Sequence, residues 1–367
     1  MPFFIGSTIL GLYAACLGGI AARYRRRHTA ACPLHVRARN GSKIASLLLG
    51  IVLVGWFGVD VGFFAELLAQ AFGSSDWIVQ RLLMVVFGVL MTATAYFGFK
   101  AMYWLSAISI PPLLILAIWV AIRSLSEAGG LSGLGAQEGT GEMDVTSGVT
   151  IVVGTFAAGA VVVGNWARFA RTSTQAFVVT LIAFLIGNGL MVAFGGLGGL
   201  AFDQGDFVLI LYELGLVVLG VLLLIGSTWT TADNDAYGAA VAGVEIFNGT
   251  DKRRFAIGAG ALGTILAVSG IYDALIPFLI WLGLVVPPIG AVLIGDWFRR
   301  WRGGIPHPSS YRFPAIRWDS SIACILGVLA GAPLSDQGSA GVPAPNGIIV
   351  SLVAVWIVAS ILPQEGA

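Results

Sequence analysis

The sequence predicts an all-α integral membrane protein of about eleven transmembrane helices, and three observations carry that prediction. Apolar residues make up 57% of the 367 and charged residues only 11%, against about 25% charged in an ordinary globular domain. Mean hydropathy is +0.90 over the whole chain, so lipid-embedded segments account for nearly all of it and no separate soluble domain stands out. Basic residues, finally, gather in alternate connecting segments, as they do where short loops face the cytoplasm.

Uninterrupted apolar windows between polar breaks fall at 3–22, 44–72, 77–99, 101–124, 147–167, 175–201, 208–245, 254–271, 273–297, 319–334 and 346–363. The long window at 208–245 is either one bent helix or a helix with an interfacial segment; charge makes it a single crossing. Arg23, Arg25, Arg26, Arg27, Arg37, Arg39 and Lys43 follow the first span, Lys100 the third, and Arg168 and Arg171 the fifth. Lys252, Arg253 and Arg254 follow the seventh; Arg299, Arg300, Arg302, Arg312 and Arg317 follow the ninth. Of the 20 basic residues only Arg81 and Arg123 fall elsewhere. The opposite segments are acidic or neutral, at Asp76, Glu127 to Asp144, Asp203 and Asp206, Asp273 and Asp336. This pattern sets the N-terminus of the chain outside a cytoplasmic (inner) membrane and the C-terminus in the cytoplasm. The first span then carries its basic end inward with nothing before it to take it across. A reverse signal-anchor would explain that polarity, but a carrier with both ends inside is the commoner design, so a helix is expected upstream.

Several function classes drop out. The basic residues form no patch of their own, so nucleic acid is not an expected partner. Cys16, Cys32 and Cys324 are odd in number and lack ligand spacing, which argues against a disulfide framework or a zinc site. His28, His35 and His307 all lie in polar connections. No organic cofactor and no obligate protein partner are indicated; the bilayer and a small molecule are.

Ionisable residues inside a span are functional candidates by default. Asp60 and Glu66 lie in the second span and Asp233 and Asp235 in the seventh, within STWTTADNDAY at 227–237. Glu66, Glu213, Glu245 and Asp296 stand near helix ends, where simple solvation accounts for them. Trp56 and Asp60 are four apart and share one helix face. Ser227, Thr230, Thr231 and Asn234 stand at i, i+3, i+4 and i+7, one stripe of four oxygen-bearing side chains. Such a stripe suits a hard cation or a polar solute; as interhelical glue it would be unremarked one residue at a time. In the fifth span, VVGTFAAGAVVVGNWARFAR at 152–171, Gly154, Gly159 and Gly164 serve either close packing or local unwinding of the kind that exposes backbone to a substrate. Phe156 would present a ring face where such a helix opens. Pro287 and Pro288 offer a second break, or a packing kink. An embedded enzyme using Asp60 and Asp233 as paired carboxylates is the rival from another class; with no metal cluster, nucleophile–base pair or histidine at depth, the chain is not expected to be an enzyme.

These residues resemble the cytosine permease branch of the nucleobase:cation symporter-1 family. SLLLG and VGWFGV within 46–59, VVGTF and ARFAR within 152–171, LIGNGLM at 185–191, WTTADN at 229–234 and PPIGAVLIGDWF at 287–298 resemble family segments in order. The likeness implies an inverted-repeat, leucine-transporter-like fold missing its first helix: residues 1–125 as the first repeat, reduced to four helices, 147–297 as the second, and 298–367 as two C-terminal helices. It implies that Trp56 and Phe156 sandwich a planar heterocycle beside Gly154, that Ser227, Thr230 and Thr231 supply part of a sodium site, and that Asp233 and Asn234 lie near the substrate or brace that wall. Two positions depart from the pattern. Cytosine permeases carry Gln where this chain has Leu53 and Asn where it has Ala232, both expected to touch a pyrimidine edge. Asp60 stands where some relatives place a polar contact, and an ionised carboxylate only accepts hydrogen bonds. The ligand expected is therefore a nucleobase or similar N-heterocycle, purine or pyrimidine, that offers N–H donors or positive charge. It would enter by symport with Na+ or H+ and alternating access; a degenerate permease without transport is the alternative.

Overall fold

A computed structural model describes residues 2–23, 41–97, 99–130, 132–133, 144–167, 169–249, 251–302, 317–332 and 342–361. Arg25, Arg26, Arg27, Arg37, Arg39, Arg168, Arg312, Asp336, Cys32 and the three histidines lie outside them. The described residues are almost entirely helical and include no strand. In order they form α1 (Pro2–Arg23), α2 (Gly41–Ala71), α3 (Trp77–Phe97), α4 (Phe99–Glu127) and α5 (Val145–Val162), the last followed by a helical turn at Gly164–Ala167. Then come α6 (Ser173–Ile182), a π-helical segment (Ala183–Asn188), α7 (Gly189–Phe202), α8 (Phe207–Glu213), α9 (Val217–Phe247) and α10 (Lys252–Val268). A 3-10 turn (Ile271–Ala274) leads into α11 (Leu275–Asp296), and after a second π segment (Trp297–Trp301) follow α12 (Trp318–Gly331) and α13 (Pro343–Ile361).

Among the described residues nine helical stretches are long and apolar enough to cross a membrane. The shorter α10 and α12 occupy the two remaining predicted spans. The window at 208–245 resolves into a short helix and a long one, α8 and α9, parted by a turn with Gly215 at φ 74°. Side chains set several of the starts: Asp144 accepts from Ser147 N, Thr172 from Gln175 N, Asp206 from Val208 N and Asp251 from Arg253 N, each capping amides that a helix start leaves free. Hydrogen bonds from Ser147 and Thr146 also hold the Asp144 carboxyl below the usual carboxylate range.

The chain divides into two compact units. One comprises residues 1–45, 140–191 and 276–367 and so contains α1, α5, α6, α11, α12 and α13. Its helices close on one another through small residues, as bilayer helices do where burial from water supplies little drive. A Cβ on Gly154 would meet the backbone of Leu279, and one on Gly290 would meet the Tyr13 hydroxyl. That hydroxyl donates to Pro287 O at 3.0 Å. α11 runs through Pro287 and Pro288 as one continuous helix. The proline pair is thus a packing position and not a break: Pro288 faces Gly327 on α12 and Gly347 on α13.

The same unit corrects the reading of Asp296. It is not a solvated helix-end carboxylate but 5% exposed, and Arg317 grips it with two bonds, at 2.6 and 2.7 Å. Arg317, itself 4% exposed, also reaches Asp319 at 2.9 Å, and Arg300 reaches Asp319 at 2.7 Å. Burial works against the Arg317 charge, but the Asp296 and Asp319 carboxylates more than offset it and push its pKa up.

The other unit, residues 46–139 and 192–275, holds most of α2 and all of α3, α4, α8, α9 and α10. Its core is apolar and aromatic, with Phe57, Phe64, Met91, Leu224 and Ala232 fully buried. Phe57 sits where Gly263 on α10 leaves room for it, and Tyr212 on α8 donates to Leu67 O at 3.1 Å.

Candidate functional site

The residues singled out above divide between the units. Trp56, Asp60, Ser227, Thr230, Thr231, Ala232, Asp233 and Asn234 stand in the second unit described, Gly154 and Phe156 in the first.

On α2, Trp56 is half-buried and Asp60, one turn on, is 9% exposed. The Asp60 carboxyl stands beside that of Asp235 on α9. The second Asp60 oxygen, Oδ2, is buried without a partner. Sequence reasoning placed Asp235 in the motif but gave it no role. The signal was there: Asp233 and Asp235 are two positions apart, which puts them on nearly opposite faces of the helix, so they do not act together.

Asp233 takes the inner face. It is fully buried, accepts a short bond from the Thr94 hydroxyl on α3, and keeps Oδ2 without a partner. The indole N–H of Trp229 donates to that same Thr94 oxygen at 3.1 Å, and the Trp229 ring lies edge-on to Phe64 and Phe87. Asp233 therefore braces α9 against α3. Ala232 is fully buried in the apolar core, and Leu53 packs against Ala239 and Ala259. The two departures from the amide pattern are thus core residues here.

The polar stripe runs along another face of α9. Ser227 donates to Leu223 O, Thr230 to Gly226 O and Thr231 to Ser227 O, at 2.8, 2.8 and 3.0 Å. Asn234 Nδ2 donates to Thr230 O at 2.7 Å. Each hydroxyl proton is spent on the helix's own backbone. The oxygen lone pairs, which a hard cation takes, are left facing away from those carbonyls.

In the other unit, α5 loses helical geometry at one residue, Phe156, with φ −130° and ψ 15°. Gly154, two residues earlier, stays helical and serves the contact with α11. The Phe156 ring is half exposed and meets the edge of Phe184 at 6.0 Å between centroids.

A helical chain of this many spans, with one helix interrupted at an exposed ring and carboxyl groups buried on two others, has the build of a membrane transporter. No family model matches it. It is 32% identical over 339 residues to the cytosine permease of Escherichia coli strain K12, covering 90% of this chain and 77% of that one. The cytosine permease of Escherichia coli O157:H7 aligns equally, at 32%. In backbone the chain is similar to Mhp1, a nucleobase-cation-symport-1 family transporter, closed with bromovinylhydantoin bound: TM-score 0.77, 18% identity, 99% of this chain and 86% of that one. The inward-facing conformation of Mhp1 gives 0.75 at 17% identity, covering 99% and 85%. MhsT in complex with L-phenylalanine gives 0.54 at 14%, covering 97% and 89%. The chain belongs to the cytosine permease family and is a transporter rather than an enzyme.

Proposed function

We propose that the protein takes up a nucleobase-like N-heterocycle by cation symport with alternating access, across the cytoplasmic (inner) membrane. The observation that carries this reading is the interruption of α5 at Phe156, where a half-exposed ring stands on the one residue of the helix with non-helical backbone, in a chain related to cytosine permeases. Trp56 and Phe156 serve as aromatic platforms, and Asp60 and Asn234 as polar contacts. Gly154, Ala232 and Asp233 set those groups from behind. Inverted repeats at 1–125 and 147–297, followed by 298–367, generate the fold. Ser227, Thr230 and Thr231 offer lone pairs to sodium.

A second reading of the coupling ion is favoured by one observation. Asp60 on α2 and Asp235 on α9 bring two carboxyls side by side, and adjacent carboxylates favour sharing a proton over carrying two charges, so a proton is the alternative to sodium. Melting of the purified protein in mild detergent, against purines, pyrimidines and aminopyrimidines in sodium or in choline, separates these readings. A ligand at one hundred times its Kd stabilises the folded state by about 2.7 kcal/mol. A heterocycle whose shift needs sodium supports the sodium version. A shift indifferent to sodium but lost in Asp60→Asn and Asp235→Asn supports the proton, and no shift with any compound overturns the substrate class.

A further inference from the structure

Beside the break in α5 lies a group of buried polar atoms that the proposed site does not use. Ser7 on α1 is 2% exposed and Asn188, the last residue of the π segment, is 8% exposed. Neither Ser7 Oγ nor Asn188 Nδ2 has a hydrogen-bond partner. Ser7 packs against the residue that follows Asn188: its Oγ is 3.4 Å from where a Cβ on Gly189 would stand. Thr155, next to the interrupted residue, comes within 3.4 Å of Asn188 Oδ1 but gives its proton to Val152 O at 2.7 Å. One turn before Asn188, Phe184 holds the edge of the Phe156 ring. Leaving two polar groups dry and unpaired is unfavourable, and π segments are frequent at functional sites.

What the group lacks is an acceptor. A serine hydroxyl and an amide NH2 both have protons to give. Both are neutral donors, and burying an anion against neutral groups alone is far costlier than burying a neutral oxygen, so the partner that suits them is a carbonyl. We infer that Ser7 and Asn188 receive a ring carbonyl oxygen of the heterocycle, and so select oxo-substituted rings over their carbonyl-free analogues. This rests on the transport reading above and adds to it the feature of the substrate that is read.

The test uses pairs that differ by one carbonyl: cytosine with 4-aminopyrimidine, and hypoxanthine with purine, each titrated against the full chain by melting temperature. A site that donates to a carbonyl rejects the analogue without it by about tenfold or more. In the wild type the oxo member of the bound pair should bind tighter by that factor. Ser7→Ala and Asn188→Leu should lose affinity for the oxo member and leave the other unchanged, while Ser7→Thr, which keeps the hydroxyl, should retain the preference and controls for folding. Discrimination that survives both Ser7→Ala and Asn188→Leu would overturn the assignment and leave these groups to a buried water. Variants that weaken both members of a pair equally would overturn it too. If the wild type binds no heterocycle at all, the transport reading itself falls, a result separable from either of these.

Discussion

At the scale of single residues, the Asp296–Arg317–Asp319–Arg300 group is the most consequential in the described part of the molecule. A guanidinium with two bonds to one carboxylate and a third to another is well paired, and removing it would leave two acids buried without their main cation. Breaking a buried pair in this way costs about 3–5 kcal/mol. Arg317→Leu should therefore melt well below the wild type in detergent, and the double variant Arg317→Leu, Asp296→Leu should recover part of the loss, as a thermal denaturation series would show. None of this was legible in the sequence. A carboxylate at a helix end and an arginine in a polar connection are each ordinary, and 21 residues separate them. Only the chain's return brings them together. The same holds for Thr94, an unremarkable hydroxyl on α3 until Asp233 and Trp229 are seen to share it.

At the scale of elements, the sequence leaves two alternatives open for α5 and the structure splits them. Its glycines pointed to packing or to unwinding, and both occur, at different residues. Gly154 is spent on the approach of α11, while the non-helical backbone belongs to Phe156. Composition shows where a helix can weaken, whereas the residue that yields is chosen by what packs on either side. Gly154→Val would press a branched side chain onto the Leu279 backbone, and overpacking of this kind costs about 1–3 kcal/mol. The expected outcome is a lower melting temperature for Gly154→Val than for Gly159→Val, since the Gly159 position meets the edges of movable rings, Phe156 at 3.2 Å and Phe184 at 3.9 Å, and not backbone. On α9 the four-residue stripe was readable from spacing alone, as was the separation of Asp233 from Asp235. The inward turn of Asp233 was not, because only its contact with α3 fixes it.

At the scale of the whole molecule, the helical class and the position of every span were open to reading, since apolar length and alternating charge are imposed by the bilayer and not by any partner element. The two compact units were not, because each collects segments from distant parts of the chain. Orientation is checked by labelling with a membrane-impermeant thiol reagent in intact cells, after Cys16, Cys32 and Cys324 are replaced. Ser75→Cys, between α2 and α3, should label, and Asn248→Cys, beside Lys252 and Arg253, should not; the reverse pattern would invert the orientation that the basic loops give.

The division into units also orders events on the ribosome. The unit of residues 46–139 and 192–275 has all its residues once Leu275 is made, whereas the other still awaits 276–367. α1 is caught in that wait: the carbonyl that takes its Tyr13 hydroxyl belongs to Pro287, 274 residues later. At roughly 5–20 residues per second, α1 spends tens of seconds in the bilayer before that partner exists, while the other unit is already whole.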